Sequence, residues 1–330
     1  MNAPAKLTFV EATRQALDEA LAKDPTVLVL GEDIADETGG GVFKCTAGLS
    51  TKYGDRVRTT PISEQAIMGA AVGAAVAGMR PVAEIMLMNF MTVAMDQFFN
   101  HAAKLRFMSG GQTPVPLTVR TATGAGAGFG AQHSDMLEAW IAHTPGAKVV
   151  VPAFPADAKA LLTACIFDDD PCVFVENTLL YFGGASGPAP PEGYAVRIGS
   201  ANVLREGGDV TVVGYGRPLY DVLAVAEKLD QEGIGVEVVD LRTIAPFDEA
   251  TVLASVGKTK RAVVVHEAVK RFGVGAEVAS RIHEELFSDL RGPVQRVGGK
   301  HAPVPFASNL EQAYLPQQAD IEAAIRATLG

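Results

Sequence analysis

The chain has 330 residues, a mass of 34.5 kDa, a net charge of −10 and a pI of about 5.1. The acidic balance speaks against a nucleic-acid partner, and the length exceeds the ~250–300 residues at which one core stops growing, so two domains are expected. Hydrophobic residues make up 48% and mean hydropathy is +0.18, which predicts large buried subunit interfaces.

Thr8 to Glu11 reads as a capping box opening a helix to about Lys23. VLVLG at 27–31 is a buried strand, and DETGGGVF at 36–43 is expected to be a mobile glycine-rich loop. A short strand around Ile62 is followed by a helix from Glu64 to Ala77, whose Gly69, Gly73 and Ala77 let another backbone approach. PVAEIML at 81–87 is a strand, a long helix runs from Met91 to about Met108, and VPLTVRT at 115–121 is a strand. The flexible GAGAGFG loop at 124–130 leads into AQHSD. Strands at 149–152 and 172–176 flank a helix from Ala156 to about Phe167. The Gly/Pro-rich stretch 183–194 reads as a linker between domains at 1–182 and 195–330. Beyond it lie strands at 209–216, 236–241 and 261–267, a helix to about Gln231, another from Ala276 to Phe287 and a last one over Asp320–Leu329. The fold class is α/β: strands alternating with helices predict two open α/β domains with parallel sheets.

Cys45, Cys165 and Cys172 form no CxxC pair, so neither a zinc site nor a disulfide framework is signalled, and a reducing cytoplasm fits. The longest uncharged apolar run, 65–79, is shorter than the ~20 residues of a membrane span. MNAPAKLTF carries no leader pattern, so a bacterial cytoplasmic protein is expected, with a mature mitochondrial form as the other placement.

Glu64 is the most informative residue. It sits at a strand-to-helix junction, where open α/β sheets place ligands, ahead of a helix of Ala, Gly, Val and Met. A carboxylate in such a site needs a polar partner, which points to a cofactor nitrogen. The plainer reading is a first-turn Glu on the helix dipole. His133 follows the glycine loop, where it can act as acid, base or donor near neutral pH; the plainer reading is a loop His without a role. Phe90 ends MLMNF and would otherwise be a core phenylalanine. The acids of CIFDDD at 165–170 close a helix, oppose its dipole and ask for a compensating cation. His266, at the end of a buried strand, is read as structural.

The segments TPISE, MNF…DQ…AAK…MSGG, AQHS and DLRTIAPFD together resemble the β subunit of the thiamine-diphosphate-dependent decarboxylating component of 2-oxoacid dehydrogenase complexes, from about residue 7 to the C-terminus. The resemblance implies an N-terminal pyrimidine-binding domain and a C-terminal transketolase-like domain used for assembly and core docking. It implies that Glu64 bonds the cofactor's aminopyrimidine and activates it, that Phe90 packs on that ring, and that His133 assists the substrate adduct and acyl transfer to lipoamide. It places a potassium ion at Leu117, Cys165, Ile166, Asp168 and Asp170. It gives Asp96 and Gln97 matching positions without assigned chemistry.

Enzymes of this type hold the diphosphate through Mg²⁺ with a GDG segment, and no GDG occurs in these residues. The diphosphate and its Mg²⁺ are therefore expected on an α subunit, in an α2β2 heterotetramer that serves a lipoyl-bearing acyltransferase core. The implied reaction is oxidative decarboxylation of a 2-oxoacid, pyruvate first. Acetoin dehydrogenase (resembled at 39–49) and the branched-chain enzyme (at VVHEA) are the alternatives. Cys165 stands where the family usually has Ala, which touches the potassium expectation. Two other classes compete with this one less well. A nucleotide-dependent oxidoreductase lacks a GxGxxG after the first strand, and a non-catalytic assembly subunit would be indifferent to Glu64.

Overall fold

The computed structural model describes residues 6–330, which form two compact units. One comprises the chain through Thr123 together with Trp140–Ile198; the other comprises Gly124–Ala139 and Gly199–Gly330.

In the first unit β1 (Lys6–Thr8) precedes β2 (Val27–Gly31), β3 (Val57–Thr59), β4 (Arg80–Leu87), β5 (Thr118–Thr123), β6 (Lys148–Val150), β7 (Cys172–Asn177) and β8 (Ser186–Pro188). The sheet runs in the order β6-β7-β5-β4-β2-β3, and every pair is parallel. β5 and β7 are buried at every position, as a sheet covered on both faces requires. β1 pairs antiparallel with β8, inside the Gly/Pro-rich stretch. The capping box forms as its spacing predicts: Thr8 Oγ1 accepts from Glu11 N at 3.2 Å and Glu11 Oε2 accepts from Thr8 N at 2.9 Å, opening the helix Phe9–Lys23.

Several elements differ from the sequence expectation, each for a local reason. Ile62 is in no strand; β3 ends at Thr59, and Ile62 is 84% exposed on the turn after Pro61. Pro61 has no N–H to continue a ladder. The strand expected at 115–121 starts only at Thr118, because Pro114 and Pro116 lack donors too. The long helix expected from Met91 is three pieces: a 3₁₀ turn Met88–Thr92, a π-helix Asp96–Ala102 and an α-helix Ala103–Met108. The glycine segment expected to be mobile is tied at its start. Asp36 accepts hydrogen bonds from Thr51 Oγ1 (2.5 Å), Gly48 N, Thr51 N (2.8 Å) and Ser50 Oγ (2.9 Å), and these donors hold its carboxyl well below the usual carboxylate range.

One buried ion cluster crosses this sheet. Glu84 on β4 and Arg120 on β5 are register partners, and Glu176 on β7 lies opposite Ala122, two residues further along β5. Arg120 donates from Nε and Nη2 to Glu176 (2.7 and 2.9 Å) and from Nη1 to Glu84 (2.7 Å). Burial alone would favour a neutral Glu84, and the guanidinium opposes that. Arg120→Met is expected to destabilise the fold by about 3–5 kcal/mol, since it strands two buried carboxylates. Denaturant unfolding measures this; a loss well under 1 kcal/mol would show that the cluster contributes little.

In the second unit β9 (Asn202–Arg205), β10 (Val210–Gly214), β11 (Val236–Asp240), β12 (Thr243–Ala245), β13 (Ala262–Val269) and β14 (Gln295–Gly299) alternate with the helices Pro218–Asp230, Glu249–Thr259, Val274–Leu286 and Gln318–Leu329. The five-stranded sheet has the order β14-β13-β10-β11-β9, with only β9 antiparallel to its neighbour. Among the described residues no helix is long and apolar enough to cross a membrane.

Candidate functional site

Glu64 is the first residue of the helix Glu64–Val76, capped by Ser63, whose side chain accepts from Ala66 N at 3.4 Å. It is half-buried, and its carboxylate makes no hydrogen bond to any described residue. A second carboxylate lies close by. Glu32 follows β2 directly and is buried, and its Oε1 has no hydrogen-bond partner among the described residues. Burial pushes the Glu32 carboxyl above the ordinary carboxylate range, and the charges of Glu64, Asp33 and Glu84 push it further. Two acids without hydrogen-bond partners among the described residues thus meet where β2 ends and the Glu64 helix begins. That arrangement suits an external donor group.

Phe90 lies on the 3₁₀ turn after β4 and is half-buried, not sealed in the core. The π-helix that follows carries Asp96 and Gln97; such turns recur at functional sites. Gln97 Oε1 is buried without a partner among the described residues, and a Cβ on Gly69 would lie 3.7 Å from Gln97 Cγ, so the π turn packs on the Glu64 helix. That helix exposes a stripe of small residues, Ala66, Gly69, Ala70, Gly73 and Ala77.

His133 belongs to the second unit, with the glycine loop before it. Gly124, Gly126, Gly128 and Gly130 all have left-handed φ, between 72° and 114°, which side chains rarely adopt. Two buried carboxylates gather the loop's amides. Glu267 accepts from Ala125 N at 2.8 Å, and Glu311 accepts from Gly126 N at 2.9 Å and from Gly128 N at 3.1 Å. His133 N donates to Gly130 O at 3.2 Å, so the half-buried His is coupled to a loop whose shape is fixed from beneath. Sequence reading missed Glu267 and Glu311. Nothing local marks them, since their partners lie more than a hundred residues away.

The acidic run is compensated by side chains. Lys148 reaches both oxygens of Asp168 (2.7 and 2.8 Å) and Asp170 (3.1 Å), and Arg106 reaches Asp170 (2.6 Å). Arg80 donates to the carbonyls of Ile166 (3.3 Å) and Asp168 (3.0 Å) and to the carboxylate of Asp169 (3.1 Å). Leu117 O accepts from Cys172 N at 2.9 Å, and Cys165 O accepts from Asp168 N at 3.2 Å. The five residues expected around a cation are therefore brought together, with cationic side chains already among them. No group of three or more His, Cys, Asp or Glu side chains arranged to hold a metal occurs among the described residues.

His266 is fully buried on β13, with Nδ1 3.0 Å from Ala268 O and Nε2 without a partner among the described residues. A Cβ on Gly273, Gly275 or Gly298 would come within 2.7–3.0 Å of its ring, so three glycines make room for the imidazole. Burial pushes its pKa down to about 4. The unfolded chain, with an ordinary His, takes up the proton first as pH falls. The stabilisation is complete above about pH 6.5 and is lost as pH drops toward 4, by roughly 3 kcal/mol in all. Urea unfolding at pH 7 and pH 4.5 should show this loss, and His266→Gln should flatten it; an equal loss in the variant would place the titration elsewhere.

Family models match two segments: transketolase, pyrimidine binding domain, over residues 5–182, and transketolase, C-terminal domain, over 199–321. The β subunit of acetoin:2,6-dichlorophenolindophenol oxidoreductase from Cupriavidus necator is 44% identical, over 98% of each chain. The pyruvate dehydrogenase E1 β subunit of Staphylococcus epidermidis is 43% identical over 98% of this chain and 99% of its own, and the human mitochondrial one is 45% identical over 99% and 92%. A split-gene transketolase, solved as an inactive β4 tetramer, shares the fold, with a TM-score of 0.77, 24% identity and 98% coverage of both chains. The two domain matches and the whole-length relatives agree with the two α/β units: this chain belongs to the transketolase-type family, among the β subunits of the 2-oxoacid dehydrogenases.

Proposed function

We propose that this chain is the β half of a 2-oxoacid dehydrogenase that decarboxylates pyruvate and passes the acyl group to a lipoyl arm. The observation that carries the reading is the meeting of Glu32 and Glu64, which have no hydrogen-bond partner among the described residues, at the end of β2. Thiamine diphosphate, when bound, supplies the electron sink for decarboxylation. Glu64 would hold and move a proton at the aminopyrimidine, Phe90 would pack on that ring, and His133 would donate or accept a proton at the substrate oxygen. An aromatic face contributes about 0.5–1.5 kcal/mol beyond burial.

The diphosphate and its Mg²⁺ are assigned to an α partner, because no GDG segment occurs in this chain. Partner surface is available: the small-residue stripe on the Glu64 helix, with Ile62, Phe107 and Met108, leaves apolar area uncovered. An α2β2 assembly docked on a lipoyl-bearing acyltransferase core in the bacterial cytoplasm completes the proposal. A potassium ion at Leu117, Cys165, Ile166, Asp168 and Asp170 would share carbonyl oxygens with Arg80. The acetoin relative, covered end to end, favours acetoin as the second substrate reading.

The test is an assay with an artificial electron acceptor, using this chain alone and co-expressed with its α partner, against pyruvate, branched-chain 2-oxoacids and acetoin. Activity only with both chains and added cofactor supports the half-site and ranks the substrates. Activity from this chain alone would overturn it.

A further inference from the structure

Within the second unit, a cavity of about 450 Å³ opens where β13 and β14 end. Lys270 and Arg271 directly follow β13; Lys300 and His301 directly follow β14. The two strands are parallel neighbours with Val269 opposite Gly299, and Lys270 N donates to Gly299 O at 3.0 Å. The pairing therefore delivers both basic dipeptides to one end of the sheet. That end, outside the carboxyl termini of the strands, is where open α/β sheets take ligands. Arg296 adds a further cation to the lining, its Nη1 held by Lys270 O at 3.1 Å.

The charge of this lining is unbalanced from within. Lys270, Arg271, Arg296 and Lys300 face one acid, Asp320, which already accepts Gln317 N at 2.9 Å at the start of the helix Gln318–Leu329. None of the four cations has an ion-pair partner among the described residues. Elsewhere in the unit basic side chains do find acids, as Arg326 finds Glu232 at 2.8 Å and Lys228 finds Glu322 at 2.6 Å. In a chain of net charge −10, four unpaired cations around one concavity repel each other, a cost that a bound anion removes.

We infer that this cavity binds a small polyanion that presents phosphate groups with two or more negative charges. No Phe, Tyr or Trp lines the cavity and its one ring is the His301 imidazole, against four cations, so the phosphate is the recognised part. Guanidinium and ammonium donors on separate strand ends suit a phosphate approached from several sides. A recess walled by two strand ends and a helix fits a compact anion better than a flat acidic protein surface.

The test is calorimetric titration of the full chain with inorganic phosphate, pyrophosphate and ATP, and with a poly-glutamate peptide, at low and raised salt. The comparison is the Lys270→Ala/Lys300→Ala double variant. Both side chains are exposed, so the fold should survive, and circular dichroism checks that. Pyrophosphate should bind at one site per chain, less tightly at raised salt, and at least about tenfold more weakly in the double variant. ATP binding no tighter than pyrophosphate would identify free phosphate groups as sufficient; tighter ATP binding would identify a phosphorylated metabolite. No pyrophosphate binding, or binding that the double variant keeps, overturns the inference. So does binding of poly-glutamate alone, which would make this a surface for acidic protein segments.

Discussion

Glu64→Gln, assembled with its α partner and saturated with cofactor, is expected to lose decarboxylation by about 10²–10⁴-fold, the range of a lost proton-transfer group. Glutamine keeps the shape and the hydrogen-bonding reach of the side chain but cannot carry the proton. Assembly and thermal stability should stay near wild type, because the Glu64 carboxylate makes no hydrogen bond to the described part of its own chain. Size-exclusion chromatography and steady-state turnover, measured on the same preparation, separate the two effects. Turnover within about threefold of wild type would remove Glu64 from the proton path.

Glu311→Ala is expected to have the second-largest effect, from a residue that need not touch substrate. The Glu311 side chain is only 2% exposed, and its carboxylate collects the amides of Gly126 and Gly128. Removing it leaves those two part-buried donors without their charged acceptor, which costs about 1–3 kcal/mol. The loop that carries His133 then loses its shape, and a misplacement of about 1 Å is enough for a 10²-fold loss of turnover. Glu311→Gln retains one acceptor oxygen and should recover part of both losses. Hydrogen exchange of the peptide spanning residues 124–135 should accelerate in the Ala variant, less in the Gln variant. Unchanged exchange would show that Glu311 does not hold the loop.

The carboxylate that meets Glu64 was within reach of the sequence rule that picked Glu64 itself. Glu32 also stands at the carboxyl end of a parallel strand, in GED after VLVLG, where open sheets present ligand-binding groups. The capping box at Thr8, the buried runs of β2 and β7 and the helix starting at Glu64 were legible because they depend on near neighbours and on periodicity. The prolines that trim the strands at Ile62 and Val115 are legible too, in apolar runs whose hydropathy by itself favours a strand. The π-helix at Asp96–Ala102 was not, since a run of this composition fits an α-helix equally well.

By itself the sequence determined that this is a two-unit α/β chain with a carboxylate, Glu64, at a helix start after a strand, because alternation, capping and junction placement are local properties. Only the tertiary structure decided that Glu32 shares that junction, that Glu267 and Glu311 grip the glycine loop, that Lys148, Arg80 and Arg106 offset the acidic run, and that two basic strand ends converge on one cavity. Each of these pairings joins residues tens to nearly two hundred positions apart. Such contacts are set by which strands lie side by side, and no spacing along the chain encodes that.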